Sequence, residues 1–390
     1  MNSPLMQYRS LFPALRTHTM LASCSQSALA LPVSKAINDY QESLLQHGGN
    51  WEEAIGRTEQ ARCEFAKLIG AHPEEIAVLP SVTAAVSAVV SALPDSRKKQ
   101  AVYTELDFPA IAHILKAQTE MELSVVPSED GMIPLERYET YISEQTLFTC
   151  VPHVSYTSGF VQDMKRIAEI SAKKGSLLFV DAYQSAGHIP IDVKEWGVDM
   201  LAAGARKYML GIPGTAFLYV RKELAERLKP KVTGWFGQQR ASMLDLTRFS
   251  YADGAKRFET GTPAFISIYA AQAALSLVND AGTDRIHQEV KKLSAFAYEY
   301  ASEKGLNLTG PPSADDRPGM ISIRDEKAAE TAALLRRKNI VCAPSGQIIR
   351  LAPHFYNTAD DLIYAIDELA EARGIYKTAD SRGACCFSYE

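Results

Sequence analysis

Two residues of this chain are well suited to covalent chemistry on a carbonyl compound. Lys207 follows an alanine- and glycine-rich segment, residues 202–206, and precedes a glycine turn at residues 211–214. A lysine with so few partners for its charge loses its proton easily, and the neutral amine can form a Schiff base. Asp181 ends an apolar run, where a carboxylate can keep a pyridine nitrogen protonated. Together the two residues indicate an enzyme that uses pyridoxal 5′-phosphate (PLP).

The segment at residues 80–86 has the composition of a phosphate-binding turn. It follows a predicted strand and opens an alanine-rich helix. The N-terminus of a helix presents unpaired N–H groups and the positive end of the helix dipole, so it attracts phosphate. Val82 and Thr83 would offer main-chain N–H groups, and Thr83 a hydroxyl as well. The alternative is that Ser81 or Thr83 only caps the helix.

Composition limits the class of protein. With 390 residues, 46% of them hydrophobic and 22% charged, the chain is long enough for two domains with large cores. A net charge of -5 without a long basic run argues against nucleic acid or an acidic membrane as the main partner. The first 20 residues lack the continuous apolar segment of a signal peptide, and no run reaches membrane-spanning length. The six cysteines have no metal or disulfide spacing, so we expect free thiols in a reducing cytoplasm.

Short β-rich runs alternate with helical patterns through the middle of the chain. The predicted strands are residues 76–79, 101–105, 123–126, 147–154, 176–180, 200–203 and 216–220. Strands that alternate with helices predict a mainly parallel sheet, whose ligands gather at the carboxyl ends of the strands. Asp181 lies at such an end. After residue 263, long helical patterns and a shorter αβ stretch indicate a second, smaller domain.

The change of pattern at residue 263 sets the expected domain boundaries. We expect a large PLP-binding domain over residues 22–263 and a small domain made from residues 1–21 and 264–375. Residues 376–390, which include the adjacent Cys385 and Cys386, are expected to form a mobile tail without an assigned role.

The stretch from Leu178 to Val220 resembles the core of the class V aminotransferase family. These are PLP enzymes of fold type I and include cysteine desulfurases, kynureninases and several aminotransferases. Residues 32–35, 258–263 and 353–358 also resemble family segments, in the same order and spacing. The resemblance implies an α/β fold with a large domain around a mainly parallel seven-stranded sheet and a smaller α/β C-terminal domain. It also implies a homodimer with the site at the subunit interface.

The resemblance assigns roles to the residues around the cofactor. Lys207 matches the lysine that forms the Schiff base and then moves the proton, and Asp181 matches the carboxylate beside the pyridine nitrogen. Gln184 matches the residue that hydrogen-bonds the 3′-oxygen of PLP. Val82 and Thr83 fall on the phosphate-binding turn.

Other roles concern the substrate and the partner subunit. Arg350 matches the arginine that binds the substrate carboxylate, for which a planar guanidinium is suited; a surface salt bridge is the alternative. Thr262 resembles the residue that reaches the phosphate held by the other subunit. Trp235 resembles a kynureninase tryptophan with the same role, or it is an interface residue with no cofactor contact. Ser25 is expected to line the substrate entrance.

Several positions depart from the common family pattern. Phe108 stands where a histidine often stacks on the pyridine ring, and in having phenylalanine there the chain resembles kynureninases. Phe108 can stack and exclude water but cannot move protons. A plain core position is the alternative. Arg206 replaces the usual histidine, and it either holds phosphate and lowers the pKa of the lysine or forms a salt bridge elsewhere. Tyr156 occupies a position that is often asparagine and faces the cofactor. Gly204 replaces a serine or threonine, so one phosphate hydroxyl is missing.

The reaction is the least determined part of the prediction. A cysteine desulfurase needs a nucleophilic cysteine on a mobile loop, whereas Cys342 continues an apolar run and is expected to be a buried structural thiol. Transamination of a small α-amino acid requires only the residues already identified, so we predict a cytoplasmic, homodimeric aminotransferase. A kynureninase-like Cβ–Cγ or Cβ–S lyase is the second hypothesis, and an epimerase is a third. A scaffold subunit that keeps the fold would have no physical reason to retain Lys207, Asp181 and Arg350 together.

Overall fold

A computed structural model of the chain describes residues 4–117, 120–239 and 247–374. The N-terminal part contains β1 (Thr19–Met20), α1 (Leu31–His47) and α2 (Trp51–Leu68). The central part contains β2 (Ile76–Leu79), α3 (Val82–Ala92), β3 (Gln100–Thr104), α4 (Pro109–Ala117), β4 (Glu122–Val126), α5 (Leu135–Tyr141), β5 (Thr146–Pro152), α6 (Met164–Lys174), β6 (Leu177–Asp181), α7 (Val193–Trp196), β7 (Met200–Gly204), β8 (Ala216–Val220) and α8 (Lys222–Ala225). The C-terminal part contains α9 (Phe265–Ala281), α10 (Thr283–Glu303), β9 (Leu308–Thr309), β10 (Ile321–Arg324), α11 (Ala328–Arg337), β11 (Ile340–Val341), β12 (Ala343–Ser345), β13 (Ile348–Leu351) and α12 (Ala359–Ala372).

The central strands form one sheet of seven strands within the described residues. Their order is β2-β8-β7-β6-β5-β3-β4, and every neighbouring pair is parallel except the two pairs that contain β8. Strands β5, β7 and β8 are buried along their whole length, as expected for a sheet covered on both faces. The prediction of an α/β fold with a mainly parallel seven-stranded sheet is therefore confirmed.

The C-terminal elements form a second, antiparallel sheet of order β12-β13-β10-β9. Residues of α10, α11 and α12 share an apolar cluster with this sheet. Strand β1 pairs in parallel with β11, so the N-terminal segment lies beside the C-terminal part of the chain. Helix α9 shares the main apolar cluster with α1 and α2. The boundary at residue 263 stays a prediction, and the expected tail, residues 376–390, lies outside the described residues.

No helix in the described ranges combines the length and apolar character needed to cross a bilayer.

A close approach of two backbone segments positions the ends of β6 and β7. Gly187, in the turns that follow β6, has a φ of +100°, and a Cβ atom there would lie 2.4 Å from the carbonyl oxygen of Tyr208. Tyr208 directly follows Lys207. The absence of a side chain at Gly187 thus lets the segment after Asp181 pack against the segment that carries Lys207.

Gly187→Ala should destabilise the protein by about 3 kcal/mol, because the added Cβ meets backbone and the left-handed φ disfavours a side chain. Gly197→Ala is the matched control, since Gly197 also has a left-handed φ of +70° but no heavy atom within 4 Å of an added Cβ. It should cost only about 1 kcal/mol. Thermal unfolding of both variants measures the difference, and equal losses would contradict the close approach.

Candidate active site

A cavity of about 290 Å³ opens at the carboxyl ends of β5 and β6, beside the first turn of α3. Its lining brings together eight of the residues singled out from the sequence: Val82, Thr83, Phe108, Tyr156, Asp181, Gln184, Arg206 and Lys207. The N-terminus of a helix, a carboxylate, aromatic rings and a lysine thus face one enclosed space. That combination suits a flat, anionic, aromatic ligand with a carbonyl group.

Lys207 is the buried amine of this cavity, with 7% of its surface exposed. Its Nζ lies 4.1 Å from the centre of the Tyr183 ring. Burial lowers the pKa of Lys207 to about 8; the charge of Asp181 opposes this shift, and the charges of Arg206 and Arg350 add to it. Roughly a tenth of the amine is therefore neutral at pH 7, and only the neutral amine can attack a carbonyl.

Asp181 ends β6 and is paired with Ala202 of β7, which places it on the strand next to the one that leads to Lys207. Its Oδ1 accepts a hydrogen bond of 2.9 Å from the backbone N–H of Tyr183. Burial raises the pKa of Asp181, whereas this hydrogen bond and the charge of Lys207 favour the carboxylate. A protonated ring nitrogen in the cavity would add a further positive partner.

A second carboxyl, Asp107, lies buried near Asp181. Its Oδ2 accepts hydrogen bonds from the N–H and the hydroxyl of Thr104, at 2.7 and 2.9 Å. Burial raises the pKa of Asp107 to about 8, and the charge of Asp181 adds to the shift. Asp107 is therefore mostly protonated at neutral pH.

Several polar groups around the cavity have unused hydrogen-bonding capacity. Ser81 caps α3 by accepting from the N–H of Ala84, so the cap does not use the N–H groups of Val82 and Thr83. Gln184 donates from Nε2 to the carbonyl of Cys24, 3.1 Å away. In the described part of the chain, Gln184 Oε1 and Arg206 Nε are buried without a hydrogen-bond partner.

These groups fit PLP. Val82, Thr83 and Arg206 would hold its phosphate, Asp181 its ring nitrogen, Gln184 its 3′-oxygen and Lys207 its aldehyde carbon. Each role follows from matching a donor, acceptor or amine in the cavity to the chemistry of the cofactor.

Two aromatic rings form one wall of the cavity. Phe108 is 51% exposed, which is unusual for phenylalanine and is inconsistent with a plain core position. Its ring meets the Tyr156 ring edge to face, with 5.3 Å between the centroids. Phe108 is thus free to cover a planar ligand, and its stacking on the pyridine ring stays a prediction.

Arg350 does not belong to the cavity lining but approaches it from β13. Its Nη1 donates to the carbonyl oxygen of Tyr156 at 2.8 Å, and its Nε donates to the carbonyl oxygen of Ala343 at 3.2 Å. The side chain is only 7% exposed, and within the described ranges it has no carboxylate within ion-pair distance. The alternative of an ordinary surface salt bridge is therefore wrong for this arginine.

Three predicted site residues lie apart from this cavity. Ser25 is half-buried in a turn, where its N–H donates to the carbonyl of Ala22. Thr262 is exposed, and Trp235 is 38% exposed with its ring 6.2 Å from that of Trp51. Their positions leave Trp235 and Thr262 available to another subunit, and their cofactor roles stay predictions.

Sequence reasoning gave no role to some groups that the fold brings to the site. Tyr183 and Thr215 line the cavity, and Ser27 Oγ donates a hydrogen bond to the carbonyl of Lys207 at 2.8 Å. A signal for Tyr183 was available, because it lies between Asp181 and Gln184. No local pattern points to Ser27, since its contact with the lysine segment forms only across the fold.

Comparison with known proteins shows the family of this chain. The sequence model of the class-V aminotransferases matches residues 27–358. The chain belongs to the class V aminotransferase family. An uncharacterized aminotransferase of Bacillus subtilis (strain 168), YcbU, is 62% identical over 95% of this chain and 98% of its own length. The kynureninase of Geobacillus thermodenitrificans (strain NG80-2) is 30% identical over 80% of this chain and 77% of its own.

Solved structures show the same fold. The apo structure of a cysteine desulfurase from Thermococcus onnurineus NA1 has a TM-score of 0.86 and 23% identity, and covers 96% of this chain and 99% of its own. The resemblance stated from the sequence is thus confirmed, and the chain is an enzyme whose cofactor is PLP.

The reactivity of Lys207 towards pyridoxal should rise with pH around a midpoint near 8, because only the neutral amine attacks. Asp181 raises and Arg206 lowers the pKa of this lysine, so Asp181→Asn should move the midpoint to lower pH and Arg206→Gln to higher pH. The initial rate of visible-band formation, measured across pH with apoprotein, reports both shifts. Midpoints near the ordinary lysine value in all three proteins would contradict a buried amine.

Proposed function

We propose that this enzyme is a cytoplasmic, homodimeric aminotransferase that acts on a small α-amino acid. The observation that carries the proposal is Arg350: a nearly buried guanidinium, without a carboxylate partner in the described residues, beside the cavity that contains Lys207. Carbonyl oxygens accept from its Nε and Nη1, and a substrate carboxylate would supply the negative charge that the guanidinium lacks.

Different residues of the chain have different roles in such a reaction. Arg350 binds the carboxylate, which holds the amino group of the substrate towards Lys207. Phe108 and Tyr156 cover the cavity and exclude water. Lys207, with its pKa lowered to about 8, removes and returns the Cα proton. PLP, when it is bound, would accept the electrons released at Cα. Asp181 would favour this by keeping the ring nitrogen protonated.

The family includes other reactions, and Cys342 bears on one of them. Its side chain is 7% exposed between β11 and β12, and burial raises the pKa of the thiol to about 11. A thiol with so high a pKa is a poor nucleophile at neutral pH. This environment supports the expectation of a structural thiol and argues against a desulfurase that carries sulfur on Cys342.

A kynureninase-like lyase is the second candidate. The exposed ring of Phe108 in the cavity wall and the similarity to a kynureninase favour it. Both reactions, and epimerisation as well, begin with removal of the Cα proton by Lys207, and they differ in where the next proton is delivered.

The proposed dimer is supported by an aromatic surface outside the cavity. Trp51 and Trp235 are 54% and 38% exposed, and the Trp51 ring also contacts Phe265 with 5.3 Å between the centroids. Exposed tryptophans in one cluster are typical of subunit interfaces. Thr262, three residues before Phe265, would reach a partner's phosphate from this surface.

A single turnover with each amino acid, in the absence of an amino acceptor, tests the proposed reaction. Transamination converts the bound cofactor from its aldehyde to its amine form and yields one equivalent of 2-oxo acid. Release of alanine with the cofactor still an aldehyde would favour the lyase. Inversion of the amino acid without either product would favour the epimerase.

Arg350→Gln should raise the KM for amino acids by about tenfold to a hundredfold, because a charged hydrogen bond to the carboxylate is lost. PLP content should be unchanged. Arg324→Gln is the matched control, since Arg324 lies on the neighbouring strand β10 with its side chain exposed, and its KM should stay at the wild-type value. Equal KM values in all three proteins would contradict the role of Arg350.

A further inference from the structure

The space beside Gly204 is filled by another residue of the cavity. A Cβ atom at Gly204 would lie within 2.6 Å of three atoms of the Tyr183 ring end: Cζ, Cε2 and the hydroxyl oxygen. Gly204 does not have a left-handed φ, so its backbone would accept a side chain. The glycine is therefore required by Tyr183 and not by the conformation of the chain.

Tyr183 reaches this space past the Lys207 amine. The residue follows β6, the centre of its ring lies 4.1 Å from Lys207 Nζ, and its hydroxyl lies against Gly204 at the end of β7. Tyr183 is half-buried and lines the cavity together with Arg206. The guanidinium carbon of Arg206 lies 6.0 Å from the centre of the same ring.

The surroundings of the hydroxyl are suited to an anion. Arg206 brings a positive charge whose Nε has no hydrogen-bond partner in the described part of the chain. The first turn of α3, with Val82 and Thr83, lines the same cavity. Thr215, next to β8, also lines it. A phenol beside a guanidinium and the N-terminus of a helix can donate its proton to a phosphate oxygen.

We propose that the Tyr183 hydroxyl, with Arg206 and the first turn of α3, binds the 5′-phosphate of PLP in place of a side-chain hydroxyl at position 204. The phenol donates a hydrogen bond to phosphate, and its ring packs against Gly204. Tyr183 is then a cofactor-binding residue as well as a support for Lys207. The proposal requires only that PLP is the cofactor and is independent of which reaction follows.

The rate of cofactor loss tests this role without measuring turnover. Tyr183→Phe removes the hydroxyl and keeps the ring against Gly204 and Lys207. Holoenzyme is diluted into a scavenger of free PLP, and the decay of the visible band gives the dissociation rate. We expect Tyr183→Phe to lose PLP about tenfold faster than wild type, because a hydrogen bond to a charged group is missing.

Pyridoxal, which lacks the phosphate, separates this effect from a change at Lys207. Wild type and Tyr183→Phe loaded with pyridoxal should lose it at the same rate. Equal rates of PLP loss, or an equal acceleration for PLP and pyridoxal, would overturn the proposal. Tyr219→Phe makes the same change at a buried tyrosine of β8 that does not line the cavity, and it should alter neither rate. An equal effect there would also overturn the proposal.

A swap of the hydroxyl provides a second test. Tyr183→Ala opens the space beside Gly204, and adding Gly204→Ser returns a hydroxyl to it. The double variant should retain PLP longer than Tyr183→Ala alone and should not differ from it with pyridoxal. No gain in PLP retention would count against a phosphate site at this position.

Discussion

Burial of one amine is the constraint on which this site depends. Lys207 is 7% exposed, so its charged form lacks the hydration that stabilises it in water, and its pKa falls to about 8. The same burial would make a permanently charged lysine costly. The charge of Asp181 on the neighbouring strand stabilises the charged amine and so raises the pKa of Lys207. The charges of Arg206 and Arg350 lower the same pKa. Burial thus lowers the pKa of the amine, and the charges around it determine how far the pKa falls.

The fold maintains this arrangement through backbone contacts around the lysine. Gly187 allows the segment after β6 to touch the carbonyl of Tyr208, and Ser27 Oγ donates to the carbonyl of Lys207. His354 lies within hydrogen-bond distance of the carbonyl of Tyr208, with 3.0 Å between Nε2 and the oxygen. Three distant parts of the chain therefore fix the same short segment, which explains why the site requires the N-terminal and C-terminal parts as well as the central sheet.

The sequence predicts the parts of this protein that depend on local patterns. The central strands are continuous apolar runs because they are buried on both faces, and Asp181 and Lys207 are recognisable by their position at strand ends. The direction of β8 is harder to read from the sequence, although the eleven residues between β7 and β8 are few for a parallel crossover. The fit of Tyr183 against Gly204 and the approach of Arg350 to Tyr156 depend on side-chain packing between distant segments. Local composition contains no information on such contacts.

Mapping the covalent link gives the most direct test of the central claim. Holoenzyme is reduced with borohydride, digested, and examined by mass spectrometry for a pyridoxyl group. We predict one modified site, the peptide that contains Lys207, and no modification of that peptide in Lys207→Ala. A pyridoxyl group on a different lysine, with an unmodified Lys207 peptide, would contradict the account.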